Sequence, residues 1–212
     1  KLGKGFADVG IAEEHAVAAA SALAKGGAKP VLAVLSSFIQ RTYDQLSQDL
    51  ALNNSPATLL VYWGSISGAD ATHLGCFDIS LIGNIPNIVY LAPTSKQEYL
   101  AMLDWSVEQQ KYPVAIRVPL GPLAESDRPV PQDYSELNRY EVVSKGGEVA
   151  IIGAGNFFHL GRQVKEELKR ALGIDATLIN PRYLPGLDEA LLESLKKDHR
   201  LVITLEDGIV TG

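Results

Sequence analysis

Two carboxylates and an imidazole stand side by side near the start of the chain, at Glu13, Glu14 and His15. They follow the small apolar run 9–12 and precede the alanine-rich stretch AVAAASALA, whose composition favours a helix. Carboxyl and imidazole groups exchange protons in general acid–base catalysis, so this motif is a candidate catalytic element. Spacing alone also allows a structural role, because a glutamate that opens a helix stabilises it through the helix dipole.

Two further stretches carry side chains suited to binding or chemistry: SSFIQR at 36–41 and WGSISGADATHLG at 63–75. Phe38 offers a ring for stacking, and Arg41 offers a guanidinium for an anion. Asp70 and His73 place a carboxylate and an imidazole in one loop, and an imidazole titrates near neutral pH. The loop therefore has the groups that a proton-transfer site needs.

Each of these residues also has a structural interpretation, which the sequence alone leaves open. Phe38 suits a hydrophobic core, Arg41 a solvated or paired position, and Asp70 a turn. Structural roles are expected for the remaining histidines: His15, His159 and His199.

Short apolar runs alternate with helical patterns through the first half of the chain. The predicted strands are 8–12, 30–35, 58–62, 88–91 and 114–118. The predicted helices are 14–24, 38–52, a region near 77–83, and 95–109. The strand runs are almost continuously apolar, which is typical of a parallel sheet buried on both faces, and the alternation predicts an α/β fold.

The three candidate stretches follow the first three predicted strands. In open parallel sheets, ligands bind outside the carboxyl ends of the strands. We therefore expect one cleft that contains Glu13, Phe38, Arg41, Asp70 and His73.

The segment 118–138 interrupts this alternation with four prolines and several charges, which indicates a linker. A second α/β unit follows, with strands at EVAIIGAG, DATLIN and RLVITLED and helices at 157–171 and near 187–197. The predicted division is a domain at 1–120, a linker at 121–138 and a second, incomplete domain at 139–212.

Composition excludes several classes of protein. The chain has 212 residues, 46% of them hydrophobic, and a net charge of −6, which disfavours a nucleic-acid surface. No apolar run is long enough to span a bilayer. The single cysteine, Cys76, excludes an internal disulfide, and a cytoplasmic location is expected.

Familiar ligand motifs are weak or missing. GAGNFFHLGR, from Gly153, follows a predicted strand and opens a helix, but it lacks the third glycine of the dinucleotide fingerprint. The sequence has no P-loop, no zinc-ligand spacing and no G-x-S-x-G.

Four stretches, taken together, closely resemble the transketolase-like thiamine diphosphate enzymes. They are ADVGIAEEHAV, KPVLAVLSSFIQRTYDQLSQDLAL, SGADATHLGCFDISLIGNIPNIVYLAP and YPVAIRVPLG. The nearest branch is the 1-deoxy-D-xylulose-5-phosphate synthases. The match is strong over 8–120, and DATLIN-PRYLPGLDE and VITLEDGIVTG resemble the C-terminal domain of the family. The resemblance implies two three-layer α/β domains with mostly parallel sheets, a pyrimidine-binding domain and a C-terminal domain.

The resemblance also implies roles for the candidate residues. The carboxyl group of Glu13 would hydrogen-bond N1′ of the aminopyrimidine ring of thiamine diphosphate and favour the imino tautomer, whose nitrogen takes the proton from C2 of the thiazolium. Phe38 would stack on the pyrimidine. Arg41, Asp70 and His73 would face the substrate, Arg41 also lying at the cofactor, and His73 would join Glu13 as a catalytic group.

Departures from the synthase pattern fall in the substrate region. Trp63 and Leu120 stand where the synthases have arginines that bind the acceptor phosphate, and Leu35 stands where a tyrosine is usual. The loop between Asp70 and His73 is one residue shorter. Our hypothesis is that the cofactor chemistry is kept while the acceptor is not the usual phosphorylated aldehyde.

The sequence also lacks the G-D-G…N segment that holds Mg²⁺ and the diphosphate in this family. We therefore expect an N-terminal diphosphate-binding domain or a separate subunit to supply it, in a homodimer or a heterotetramer, with a small ketose or 2-oxo acid as substrate. Two alternatives remain open: a chain like the β-subunit of 2-oxo-acid dehydrogenases, and a catalytically idle assembly domain.

Overall fold

Four of the predicted strands in the first half form one parallel sheet. The computed structural model describes residues 3–66 and 72–210 of the chain. The strands of this sheet are β1 (Val31–Leu35), β2 (Thr58–Tyr62), β3 (Val89–Leu91) and β4 (Val114–Val118). They lie in the order β1-β2-β4-β3, and Thr58 of β2 is level with Val31 of β1 and Val114 of β4.

Helices cover both faces of this sheet. They are α1 (Glu13–Lys25), α2 (Ser36–Ile39), α3 (Asp78–Gly83) and α4 (Lys96–Glu108), with a π-helix at Gln45–Ala51 and 3₁₀ turns at Gly3–Gly5 and Gln40–Thr42. Alternate residues of β2 point to opposite faces, so Leu59 packs with α1 and the π-helix while Leu60 packs with α4. The expected three-layer arrangement is confirmed for this half.

The predicted strand at 8–12 was wrong. Residues 6–12 form neither helix nor strand, and Val9 and Ile11 are exposed. A strand needs a hydrogen-bonding neighbour, and the described chain supplies none here. The segment instead turns locally at Gly10, whose N–H donates to Asp8 Oδ1 at 2.9 Å. The motif at Glu13 therefore opens α1 without following a strand of the sheet.

The predicted helix at 38–52 begins earlier, at Ser36, and is not uniform. It passes from α2 through the 3₁₀ turn Gln40–Thr42 into the π-helix Gln45–Ala51. Departures of this kind inside a helix often accompany functional sites. The 3₁₀ turn contains Arg41.

The second half forms a second sheet. Its strands are β5 (Glu141–Ser144), β6 (Glu148–Gly153), β7 (Thr177–Asn180) and β8 (His199–Leu205), in the order β5-β7-β6-β8. The helices α5 (Phe157–Leu172) and α6 (Glu189–Leu195) pack on its opposite faces, and the sequence predicted both. Sequence reasoning missed β5, which is short, half-buried and antiparallel to β7.

The segment 119–140 has no helix or strand but is packed against the first half. The Tyr134 side chain is buried in the cluster beneath α4, and its backbone carbonyl accepts a hydrogen bond from Tyr183 Oη at 2.7 Å. In the described part of the chain, no helix is long and apolar enough to cross a membrane.

The two halves meet along β3. The N–H of Ala92 donates to the carbonyl of Arg182 at 2.8 Å, and the N–H of Leu184 donates to Tyr90 at 2.9 Å. The chain that follows β7 therefore satisfies backbone groups at this edge of the first sheet. Close by, the buried carboxylate of Glu98 accepts hydrogen bonds from Asn180 and Arg182 of the second half.

Candidate active site

Glu13 lies in the first turn of α1 with most of its side chain buried. The side chain is 14% exposed, and its Oε2 atom makes no hydrogen bond with any described residue. Ala12 occupies the N-cap position without a side-chain cap, so the carboxylate complements the helix dipole but does not cap the helix. A buried acceptor without a hydrogen bond is costly, and its presence points to a function.

Arg41 lies beside both neighbouring carboxylates. Its Nη1 atom is 3.4 Å from Glu13 Oε2, and its Nε atom is 3.5 Å from Glu14 Oε1. Both contacts are ionic and neither has hydrogen-bond geometry. The Arg41 side chain is about half exposed, so it can move without unpacking the core.

Three aromatic rings form the next part of the site. The His73 ring centroid is 5.3 Å from that of Phe38 and 6.3 Å from that of Trp63, and both pairs are close to perpendicular. His73 Nδ1 is also 2.8 Å from Thr72 Oγ1. Such edge-to-face pairs orient the imidazole beside Phe38.

The structure thus brings together four of the five predicted residues. Glu13 contacts Arg41, and Arg41 follows Phe38 by three residues in the helical path from Ser36. Phe38 in turn contacts His73. The fifth, Asp70, lies outside the described residues.

The loop after β2 has an unusual backbone. Trp63 has a positive φ of 58°, a backbone conformation that residues other than glycine seldom adopt. A Cβ atom on Gly75 would lie 1.9 Å from the Trp63 carbonyl oxygen, so only glycine fits there. The Gly75 N–H donates to the Ser65 carbonyl at 2.9 Å and holds the two ends of the loop together.

A buried ionic cluster beneath this loop was not predicted. Arg117 of β4 donates from Nε to Asp78 Oδ2 at 2.7 Å and from Nη2 to the Gly75 carbonyl at 2.7 Å. Its Nη1 donates to Asp207, and Tyr90 Oη donates to Asp78. An arginine inside an otherwise apolar strand was the available signal for this cluster.

The cluster is strongly coupled. Burial acts to lower the pKa of Arg117, but the negative charge of Asp78 outweighs it, and the pKa lies above the usual arginine range. Burial also raises the pKa of Tyr90 well above its usual value, and neighbouring Asp78 adds to this effect. Arg117 therefore carries a permanent charge beside the buried side chains of Asp78 and Asp207.

The remaining residues singled out from the sequence lie elsewhere. His15 is exposed on α1. His159 contacts the Thr94 carbonyl at 2.7 Å, and His199 contacts Thr177 Oγ1 at 2.7 Å. Over residues 3–66 and 72–210, no group of three histidine, cysteine or acidic side chains has a metal-binding arrangement.

Two family models match the chain. The model described as transketolase, pyrimidine binding domain, matches residues 3–124, and the model described as transketolase, C-terminal domain, matches residues 138–212.

Curated relatives include three proteins named 1-deoxy-D-xylulose-5-phosphate synthase. Those from Clostridium botulinum and Pseudoalteromonas translucida are 38% and 39% identical over 208 residues, or 98% of this chain. The one from Symbiobacterium thermophilum is 40% identical over 215 residues. The chain spans only about a third of the length of these relatives, at 33%, 32% and 32%.

Two solved structures share the fold. One is titled as a split gene transketolase, an inactive β4 tetramer, with a TM-score of 0.83 and 22% identity over 96% of this chain and 65% of that chain. The other is a transketolase mutant from Pichia stipitis, with a TM-score of 0.73 and 18% identity over 88% of this chain and 29% of that chain.

Proposed function

We propose a function from the premise that the chain belongs to the transketolase family. It is the pyrimidine-binding and C-terminal portion of a thiamine diphosphate-dependent transferase that moves a two-carbon ketol or acyl unit. The names of its curated relatives support a chemistry close to that of 1-deoxy-D-xylulose-5-phosphate synthase.

The observation that carries this proposal is the buried carboxyl group of Glu13. Its Oε2 atom has no hydrogen bond among the described residues, while Arg41 lies 3.4 Å away. An acceptor that is buried without a hydrogen bond suits a ligand that brings a donor. The aminopyrimidine ring of thiamine diphosphate becomes such a donor when its N1′ is protonated, so the residues present fit this cofactor.

Within the site, Glu13 would hold the ring nitrogen of the aminopyrimidine and share its proton. Phe38, partly buried against the core, would support the ring by stacking. When bound, thiamine diphosphate supplies an acidic carbon that adds to the carbonyl group of a ketose or 2-oxo acid.

His73, Arg41 and Asp70 would act on the substrate. The imidazole of His73 lies between the Phe38 and Trp63 rings, where it can hold or move a proton at a substrate hydroxyl. Arg41 would bind a carboxylate or hydroxyl once a ligand reaches Glu13. Asp70 belongs to the same loop in sequence and is proposed as a hydroxyl ligand.

The proposed acceptor lacks a phosphate. The resemblance to the synthases puts Trp63 and half-buried Leu120 at the positions of the two phosphate-binding arginines, and both side chains are apolar. Each such charge-assisted hydrogen bond contributes about 1.5–3 kcal/mol, so their loss weakens phosphate binding by on the order of a hundredfold or more. An assay with pyruvate and glyceraldehyde 3-phosphate tests this, because turnover at synthase levels would refute an altered acceptor.

A diphosphate-binding half is part of the proposal. We place it in an N-terminal domain or a separate subunit, with Mg²⁺ bound there and with assembly as a homodimer or heterotetramer. The length of the relatives supports this, since the chain spans about a third of them. We also propose a cytoplasmic location, which fits the single cysteine.

The test uses the reconstituted enzyme, meaning this chain together with a diphosphate-binding half, thiamine diphosphate and Mg²⁺. Glu13→Ala should lower turnover by at least about a hundredfold, the scale of general acid–base catalysis. Glu14→Gln is the matched control and should retain most activity, because among the described residues of the site Glu14 contacts only Arg41. Equal rates for wild type and Glu13→Ala would favour the alternative of a catalytically idle assembly domain. The departures from the synthase pattern at Trp63 and Leu120 support that alternative.

A further inference from the structure

The loop that carries His73 is held from below by a residue of the neighbouring strand. We call residues 63–66 and 72–77 the His73 loop. One end is joined to β4 by the Gly64 N–H, which donates to the Val118 carbonyl at 3.0 Å. The other end is joined by the Gly75 carbonyl, which accepts from Arg117 Nη2 at 2.7 Å. Both ends therefore depend on the last two residues of β4.

The fit between the loop and Arg117 is close. A Cβ atom on Gly64 would lie 2.4 Å from Arg117 Cγ, so the backbone of the loop rests directly on the arginine side chain. Arg117 is 7% exposed. Because this side chain is buried against the loop backbone, we expect a displacement of its guanidinium to move the loop.

The same guanidinium also reaches the second sheet. Its Nη1 atom donates to Asp207, which is 3% exposed and lies two residues after β8. Its Nε atom is bound to Asp78, the first residue of α3, which is fully buried. One side chain therefore joins β4, the His73 loop, α3 and the second sheet.

We propose that Arg117 is a positioning residue. Through its hydrogen bond to Asp207, it couples the position of His73 to the position of the second sheet. This assigns the C-terminal half of the chain a role in ordering the His73 loop. The catalytic importance of this role rests on the proposed function, but the mechanical coupling does not.

The test compares two variants that each remove one contact between the halves. Asp207→Asn keeps the size of the side chain and removes its charge, and Arg117 retains Asp78 as a counter-ion. Arg182→Gln is the control, because Arg182 joins the halves through Glu98 at 3.0 Å and is held by Glu141 of its own half at 2.7 Å, without contacting the His73 loop. Both variants weaken the interface, so thermal stability alone does not separate them.

The decisive signal is the imidazole resonance of His73 in nuclear magnetic resonance spectra, assigned with His73→Gln. The rings of Phe38 and Trp63 lie 5.3 and 6.3 Å away and shift this resonance through their ring currents. We expect Asp207→Asn to displace the resonance and to speed exchange of the Gly75 amide proton on the order of tenfold. Arg182→Gln should leave both signals as in wild type.

Unchanged signals in Asp207→Asn, or equal changes in both variants, would overturn the proposal. If Asp207→Asn does not fold, Asp207→Glu replaces it, since the added methylene must push the guanidinium and so displace the His73 resonance. No cofactor enters these experiments. A failure of the proposed function would appear in turnover, while a failure of this inference would appear in the His73 signal.

Discussion

The buried carboxyl group of Glu13 is unfavourable for the stability of the folded chain. One of its oxygens is buried without a hydrogen bond to any described residue, and its charge contact with Arg41 is long, at 3.4 Å. An unsatisfied buried acceptor costs about 1–3 kcal/mol. Active sites commonly retain such costs because the group is needed for function.

Replacement of this residue should therefore separate stability from activity. We expect Glu13→Leu to leave the free energy of unfolding of the chain unchanged or to raise it by up to about 2 kcal/mol, since the unsatisfied acceptor disappears. Urea unfolding of wild type and variant measures this. A loss of more than about 2 kcal/mol would mean that the carboxylate is a structural element.

The ring of Phe38 gives a second prediction at this scale. In the reconstituted enzyme, Phe38→Ala should raise the dissociation constant for thiamine diphosphate by on the order of tenfold, because an aromatic stack adds about 0.5–1.5 kcal/mol beyond the area it buries. Calorimetric titration measures the constant. Phe38→Tyr keeps the ring and should bind normally, and normal binding by Phe38→Ala would exclude stacking.

At the scale of elements, the loop after β2 is the most constrained part of the site. Gly75→Ala places a methyl group 1.9 Å from the backbone of Trp63, so the loop must open. We expect a destabilisation of about 1–3 kcal/mol, the usual cost of forcing extra volume into a packed site. Gly147→Ala is the control, because nothing lies within 4 Å of its added methyl group. Equal unfolding midpoints for the two variants would contradict this account of the loop.

Elements were predictable where local pattern decides them. The strands β2 and β4 were predicted to the residue because each is a short run dominated by apolar residues. The segment 8–12 is also largely apolar but pairs with no strand in the described part of the chain, and pairing is not visible in local sequence. The strand β5 was missed for a related reason, since it is short, half-buried and defined only by its contact with β7.

The residues of the candidate site also differ in whether local sequence could identify them. Glu13, Phe38, Arg41 and His73 were predicted because each stands in a short motif with recognisable chemistry. Arg117 and Asp207 were not, because they are 90 residues apart and meet only through the packing of two sheets. The positive φ of Trp63 was equally hidden, as was the close approach of Gly75 to its backbone.

At the scale of the whole molecule, two buried polar clusters tie the halves together. One is centred on Arg117, and the other on Glu98, which binds Thr94 in its own half and Asn180 and Arg182 in the other. Removing one member of a buried ion pair leaves an uncompensated charge. The two halves should therefore unfold together.

This coupling predicts a single unfolding transition, and a substitution in either buried cluster should shift the entire transition. Glu98→Ala should lower the free energy of unfolding by about 3–5 kcal/mol. Both tryptophans, Trp63 and Trp105, lie in the first half, so their fluorescence reports on that half while circular dichroism reports on the whole chain. Two separate transitions in wild type would contradict the coupling.

The central claim is that Glu13 activates thiamine diphosphate in a site completed by a diphosphate-binding half. Its most direct test is the rate at which the C2 proton of the cofactor exchanges with deuterium in the reconstituted enzyme, measured by nuclear magnetic resonance for wild type and Glu13→Gln. We predict that exchange in wild type is at least about a hundredfold faster. Equal exchange rates in the two proteins would contradict the claim.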